Sequence, residues 1–234
     1  MRALAATALG LAIALAPAAA ASGAHNGAGL YAEHCAKCHG VGGRGTSSGP
    51  SLRGVGARAA DFYLRTGYMP LRDPHQQPWR KGSPFSDDQL DALVRYVASL
   101  GGGPRVPAPH PERGSVARGL RIFTSHCAGC HQVVAEGGYV TGARVPPLDR
   151  STATQVAEAV RIGPYLMPRF GTDEISNRDL DSLTAYVEWA KHPDDRGGWG
   201  IGHIGPVPEG IVSWLLAGAV LVATCLVIGR RGAA

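Results

Sequence analysis

The sequence predicts an all-α fold made of two similar units followed by one membrane-spanning helix. Three observations lead to this prediction. A five-residue motif of cysteine and histidine occurs twice, helical patterns recur at matching distances around both copies, and a long apolar run stands near the C-terminus. A chain of 234 residues is long enough for two small domains and a membrane segment.

The repeated motif is C-x-x-C-H, at residues 35–39 and 127–131, and it uses four of the five cysteines. This pattern is typical of c-type haem attachment, in which two thiols add to the vinyl groups of haem and the next histidine binds the iron. Two cysteines three positions apart project from one turn of backbone toward a single porphyrin edge. We therefore expect two covalent haems, held by Cys35, Cys38, Cys127 and Cys130, with His39 and His131 as iron ligands.

Other interpretations of these cysteines fit the spacing less well. A zinc site would place its second cysteine pair about 12 to 20 residues after the first, whereas 88 residues separate Cys38 from Cys127. A thioredoxin-like C-x-x-C needs a βαβ context and no histidine directly after the second cysteine, whereas a histidine follows in both motifs. Structural disulfides between the pairs remain an alternative, because the chain carries the features of an exported protein.

The sixth ligand of each iron is predicted to be methionine. Besides Met1 the chain has only Met69 and Met167, one per unit, and each is followed by proline in a Gly/Pro-rich loop. Ligation by His and Met is the arrangement that raises the reduction potential of cytochromes c. His75 is the alternative ligand in the first unit. A buried methionine that only fills a gap in the core is the other alternative.

The first helix of each unit carries a glycine, an aromatic residue and the first cysteine at four-residue steps. Gly27 and Tyr31 precede Cys35 by eight and four residues, as Gly119 and Phe123 precede Cys127. Residues four apart lie on one helix face, so a second helix is expected to pass close to each glycine.

An amphipathic helix is predicted to close each unit. Ser86 and Ser176 are candidate N-caps that precede apolar residues at helical spacing. Tyr96 and Tyr186 occupy equivalent positions in the two helices.

The boundaries of the units follow from composition. We expect domains at residues 25–100 and 115–192, joined by a Gly/Pro linker at 101–114. Domains of this size bury little apolar surface of their own. The haem is therefore expected to form part of each core.

Both ends of the chain carry membrane-related signals. Residues 1–24 have one charge followed by an Ala/Leu/Ile stretch and a run of alanines, typical of a signal peptide, with an uncleaved anchor as the alternative. Residues 193–209 lead to an apolar run at 210–229, which is long enough to span a bilayer. A buried core helix is the alternative for that run. Arg230 and Arg231 predict a short cytoplasmic tail at 230–234, with the haem domains outside.

Charge differs between the units. Residues 25–103 carry nine Lys+Arg and six Asp+Glu, a net +3, whereas residues 114–196 carry nine and ten, a net −1. A basic rim around the first haem would attract an acidic partner, and ordinary solubility explains the same composition. The basic residues concerned are Arg44, Arg53, Arg58, Arg65, Arg72, Arg80 and Lys81. An exported chain is not expected to bind nucleic acid.

The pattern resembles tandem class I cytochrome c domains, with C-x-x-C-H on the first helix, a Met-Pro loop and an aromatic residue on the last helix. With its signal sequence, the Gly-Pro-Val-Pro-Glu-Gly approach at 205–210 and one tail anchor, the chain resembles the dihaem cytochrome c subunit (cytochrome cc) of actinobacterial quinol–cytochrome c reductase. The resemblance spans nearly the whole chain.

The resemblance implies a role in respiratory electron transport. Electrons would pass from the Rieske iron–sulfur subunit of a bc1-type complex, which also contains cytochrome b, through both haems to the copper centre of an aa3-type oxidase. Quinol oxidation would belong to the assembly, and no catalytic residue is expected in this chain. The alternatives are a free-standing membrane-anchored dihaem shuttle and a dihaem redox enzyme such as a peroxidase or a thiosulfate-oxidising cytochrome.

Overall fold

The structure, a computed structural model, describes residues 26–71, 73, 77–192 and 206–232. It is mostly helical, as predicted, and the two units follow the same order of helices. The first unit contains α1 (Gly27–His34), α2 (Ala36–His39), α3 (Gly56–Arg65) and α4 (Asp87–Ser99). The second contains α5 (Val116–His126), α6 (Ala128–His131), α7 (Ala153–Ile162) and α8 (Asn177–Lys191). Single 3-10 turns lie at Val41–Gly43 and Pro111–Arg113.

The first and last helices of each unit cross at the predicted glycines. A Cβ built on Gly27 would overlap the carbonyl oxygen of Ala92, and one built on Gly119 would overlap that of Ser182. Only glycine permits these approaches, so the expectation of close helix contact is confirmed. The matching aromatic pairs stand beside the crossings, with ring centroids 5.1 Å apart for Tyr31–Tyr96 and 5.2 Å for Phe123–Tyr186.

The last helices begin at the predicted serine caps. Ser86 Oγ accepts from the backbone N–H of Gln89, and the Gln89 side chain accepts from the Ser86 N–H, which completes a capping box. Ser176 Oγ accepts from the N–H of Asp179 at 3.1 Å. The caps hold the starts of α4 and α8, whose apolar faces supply much of the two cores.

Each unit has its own apolar core. In the first, the buried residues are Tyr31, Ala60, Leu64, Leu90, Leu93, Val94 and Val97. In the second, they are Phe123, Cys127, Ala135, Val156, Ala157, Val160, Phe170, Ile175, Leu180, Leu183, Tyr186 and Val187. The second core is the larger, because α7 and the segment that leads to α8 both contribute to it.

A short antiparallel hairpin in the second unit was not predicted. Strands β1 (Gly138–Val140) and β2 (Ala143–Val145) pair with Gly138 opposite Val145 and Val140 opposite Ala143. Gly142 adopts a φ of 84° in the two-residue turn, a conformation that favours glycine. The hairpin lies beside the cysteine motif, since β1 contacts α6.

The two units contact each other directly through α3 and α7. The linker between the units is hydrogen-bonded to both of them. The N–H of Arg58 donates to the carbonyl of Pro104 at 3.1 Å, and the N–H of His110 donates to Asp181 Oδ1 at 2.8 Å. These bonds tie the linker to α3 on one side and to α8 on the other.

The last helix is α9 (Pro206–Gly232), which begins four residues before the predicted span. Its segment Gly210–Arg231 is the one part of the described chain that is long and apolar enough to cross a membrane, and it is fully exposed in the monomer. It is thus a candidate span and not a core helix. The predicted signal peptide at 1–24 and most of the approach loop at 193–209 lie outside the described residues.

Candidate haem sites

The two C-x-x-C-H motifs have the same backbone geometry. Cys35 ends α1 with φ −120° and ψ −34°, and Cys127 ends α5 with φ −122° and ψ −37°. In each motif the carbonyl of the first cysteine accepts from the N–H of the second cysteine and of the histidine, at 2.8–3.1 Å. The short break between the two helices thus brings both cysteines and the histidine onto a single turn of the backbone.

Each motif histidine is oriented by a proline carbonyl. His39 Nδ1 lies 2.8 Å from the carbonyl oxygen of Pro50, and His131 Nδ1 lies 3.2 Å from that of Pro146. A hydrogen bond at Nδ1 leaves Nε2 as the lone-pair donor for a metal. Burial lowers the pKa of His131, which favours the neutral imidazole that binds iron.

Each motif has one inner and one outer thiol. Cys127 is buried and Cys35 is half-buried, whereas Cys38 and Cys130 are exposed. Burial raises the pKa of Cys35 to about 11 and that of Cys127 to about 12. The inner thiols therefore keep their protons near neutral pH, and a flat ring bonded to both sulfurs would reach from the surface into the core.

Each predicted methionine lies in the same region as one or both cysteines of its own motif. Met167 lines the same pocket as Cys127, Cys130 and His131. Met69 is half-buried and packs with Cys35 against the first core. His75, the alternative ligand, lies outside the described residues.

The pocket of the second unit fits a haem in its chemistry. Besides the two cysteines, His131 and Met167, it is lined mainly by apolar side chains of α7, α8 and the loops around them. Within the described part of the chain there is no group of three or more His, Cys, Asp or Glu residues that would hold a bare metal ion. Two cysteines, one histidine and one methionine are the donors that a covalently attached haem uses.

Residues of the first unit complete this pocket, which the sequence did not predict. These side chains belong to α3, to the residues just after α3 and to residues 77–80. They are Phe62, Thr66, Tyr68, Gln77, Pro78 and Arg80. Tyr68 adjoins the proposed ligand of the first haem. One segment of chain thus reaches from one haem site to the other.

A tyrosine hydroxyl anchors the loop after each motif, but the tyrosine differs between the units. Tyr31 on α1 donates to the carbonyl of Gly40 at 2.9 Å. In the second unit Phe123 stands in place of Tyr31, and Tyr186 on α8 donates instead to the carbonyl of Val133. The loop after the motif is thus held by the first helix in one unit and by the last helix in the other.

Some of the basic residues of the first unit are engaged within the fold. Arg65 lies on α3 and bonds three carboxylates, those of Asp61, Asp87 and Asp91. Arg58, also on α3, has its Nε buried. Arg80 points toward the second unit. Arg44, Arg53 and Lys81 are exposed, and Arg72 lies outside the described residues, so a basic rim around the first haem stays a prediction.

Family models place both units among the cytochromes. Residues 24–101 match the model described as "Cytochrome c", and residues 114–187 match "Cytochrome C oxidase, cbb3-type, subunit III". The chain is 29% identical over 187 residues to the cbb3-type cytochrome c oxidase subunit CcoP of Azospirillum sp., an alignment that covers 69% of this chain and 60% of that one.

Relatives that match at higher identity extend over most of the chain. The cytochrome bc1 complex cytochrome c subunit of Corynebacterium diphtheriae is 35% identical over 221 residues, with 86% of this chain and 79% of that protein covered. The protein of the same name from Mycobacterium bovis is 35% identical over 214 residues, with 86% and 76% covered. Two cytochrome c domains, each with its C-x-x-C-H motif, and this identity show that the chain belongs to the actinobacterial family of cytochrome bc1 complex cytochrome c subunits and carries two covalent haem c groups.

Proposed function

We propose that this chain is the membrane-anchored electron-transfer subunit of a bc1-type quinol–cytochrome c reductase. It takes electrons from the Rieske centre and passes them through its two haems to the copper centre of an aa3-type cytochrome c oxidase. The observation that supports this most strongly is the pocket that brings Cys127, Cys130, His131 and Met167 together next to the first unit.

The site residues are assigned in the same proposal. Cys35 and Cys38 bind the first haem and Cys127 and Cys130 the second, with His39/Met69 and His131/Met167 as axial pairs. The proline carbonyls hold the histidine rings, and the methionine loops exclude water from the opposite side. A haem so bound exchanges one electron between its ferric and ferrous states.

This chain's residues serve transfer and not substrate chemistry. With six ligands on each iron, no coordination position is open for peroxide or another substrate. The direct contact of α3 with α7 keeps the two haem sites at a fixed separation. Quinol oxidation and the associated catalysis then belong to the assembled reductase.

The C-terminal helix keeps the haem domains near their partners. In the proposed orientation α9 spans the cell membrane, Arg230 and Arg231 lie on the cytoplasmic side and both haems lie outside. Cytochrome b and the Rieske subunit are the partners on the donor side, and the oxidase is the partner on the acceptor side.

Purification from native membranes tests this proposal. A tagged chain solubilised in mild detergent is expected to bring down cytochrome b, an iron–sulfur protein and an oxidase that contains copper, and the preparation should consume oxygen when quinol is added. A matched chain that ends before Pro206 should leave the membrane fraction with both haems attached. Recovery of the tagged chain alone would favour a free-standing shuttle. Recovery of the reductase subunits without copper would contradict direct transfer to the oxidase.

A further inference from the structure

We propose that Arg80 of the first domain, with Arg144 of the second, binds the propionate groups of the haem attached to Cys127 and Cys130. The first domain would then supply part of the second haem's binding site. This inference depends on haem attachment to the second domain and on no assumption about the electron acceptor.

Arg80 belongs to a segment of the first domain that lies across the second. Gln77 bonds the backbone of Arg144 twice, accepting from its N–H at 2.9 Å and donating to its carbonyl at 2.6 Å. The guanidinium of Arg144 lies 4.8 Å from the ring centroid of Trp79, in a cation–π contact. We call residues 77–80 the strap.

Arg80 itself bonds only neutral groups of the second domain. Its Nη2 donates to the carbonyl of Arg150 and to Gln155 Oε1, both at 2.7 Å. Among the described residues neither Arg80 nor Arg144 forms an ion pair with a carboxylate within 4 Å. Burial lowers the pKa of Arg80, although Tyr68 and the more distant Asp149 carboxylate act in the opposite direction. A half-buried guanidinium without a carboxylate partner is costly, so its place in the fold calls for an anion.

Arg80 has polar surroundings, in contrast to the mainly apolar haem pocket. A second cavity adjoins the pocket and shares Tyr68, Gln77, Arg80 and Arg144 with it. This cavity is further lined by Asp149 and Arg150, and none of the proposed thiol or iron ligands borders it. Among the described residues, Asp149 is the one acid that lines it, and its carboxylate lies 3.8 Å from Arg150 Nε.

The chemistry of haem c supplies the missing anion. The porphyrin carries its two propionates on the side away from the vinyl carbons to which the cysteines bond. The thiol edge belongs to α5 and α6, so the propionate edge must meet a part of the pocket that the cysteines do not border. Guanidinium groups bind carboxylates through paired hydrogen bonds, and Tyr68 and Gln77 offer further polar groups there.

The test compares Arg80→Gln with two controls in the purified full-length protein. A redox titration followed at the haem absorption bands resolves two one-electron steps. Removal of a cation beside a haem favours the ferric form, so the midpoint potential of the second haem should fall while that of the first stays unchanged. Arg95→Gln makes the same change of charge on the exposed face of α4 and should move neither step. Arg80→Lys should restore part of the shift.

The haem that responds is identified by comparison with axial variants. The step that falls in Arg80→Gln should be the step that Met167→His lowers and not the one that Met69→His lowers. Gln77→Ala loosens the strap without a change of charge and should have a smaller effect. The proposal is overturned if Arg80→Gln resembles Arg95→Gln, if both steps fall equally, or if Gln77→Ala lowers the second step as much as Arg80→Gln does.

Discussion

The two cytochrome domains share one plan but close their haem sites differently. Both place a glycine crossing, an aromatic pair and a proline carbonyl at equivalent positions around C-x-x-C-H. The second pocket, however, is completed by Phe62, Tyr68 and the strap of the first domain. The comparison teaches that a repeated unit sets the ligands of each iron, whereas the contact between the units sets the surroundings of the second.

Both domains bury an acid at the sixth position of corresponding helices, Asp61 on α3 and Glu158 on α7, but among the described residues only Asp61 has an arginine partner, Arg65. Glu158 on α7 is completely buried, and within the described part of the chain neither of its carboxyl oxygens has a hydrogen-bond partner. The charged groups that act on it are Asp61, Arg65 and Arg58, all on α3 of the first domain. Burial, followed by repulsion from Asp61, raises the pKa of Glu158 to about 9.

The largest effect is expected from removal of one haem at a time. Cys127→Ala combined with Cys130→Ala should reduce the haem content from two to one per chain, and the second domain should become sensitive to protease because the haem forms part of its core. Cys35→Ala with Cys38→Ala should do the same to the first domain. Haem quantification and limited proteolysis measure both outcomes.

Cys225→Ala is the matched control, since Cys225 lies in α9 far from either motif, and it should leave two haems. A compact, protease-resistant second domain without its haem would contradict the view that the haem supplies its core.

The iron ligands come next. Met167→His and Met69→His should each lower the potential of one haem by on the order of 0.1 V, within the range of about 0.8 V that axial ligands span. Redox titration and the loss of the near-infrared sulfur–iron band measure the change. If Met69→His leaves both the potential and the band unchanged, His75 replaces Met69 as the ligand in the first domain.

The helix crossings should differ in their tolerance of a methyl group. Gly119→Ala is expected to lower the free energy of unfolding of the second domain by about 1–3 kcal/mol, as overpacking does. Gly27→Ala should cost less, because Gly27 is the first residue of α1 and can move with the helix end, whereas Gly119 lies inside α5.

Thermal unfolding of both haem-loaded variants measures the difference. Gly82→Ala provides the control, since a Cβ there meets no atom within 4 Å. An equal loss at the two crossings would contradict this distinction between their positions.

The last prediction concerns the pH dependence of stability. The pKa of Glu158 is about 9 in the folded chain and about 4.3 in an unfolded one, so the folded state binds the proton more tightly. The contribution of Glu158 to the free energy of unfolding is therefore fully present below about pH 4 and is lost as the pH rises toward 9. Glu158→Gln should flatten this decline in melting temperature, whereas Glu136→Gln, an exposed acid, should not. An unchanged slope in Glu158→Gln would show that the carboxyl titrates normally.

The sequence predicted the structural features that each domain forms from its own residues. The motif spacing indicated the haem attachment sites, the four-residue steps indicated the faces of α1 and α5, and the serines indicated where α4 and α8 begin. These features depend on residues close together in the chain. The assignment of Met69 and Met167 as ligands remains a prediction, supported by their positions beside the cysteines.

Contacts between distant residues left no such pattern. Gln77 and Arg144 are 67 positions apart, and neither belongs to a motif or a periodic run. Helices α3 and α7 were not predicted, because their apolar residues face partly their own core and partly the other domain. The β1–β2 hairpin and the burial of Glu158 depend on the same tertiary packing, so local spacing could not indicate them.

The strap has a consequence for how the protein matures. Gln77, Pro78 and Arg80 of the docked strap form part of the wall of the second pocket. We therefore expect the second haem to be attached before the two halves settle against each other. Docking of the two domains would then report that the second haem is attached.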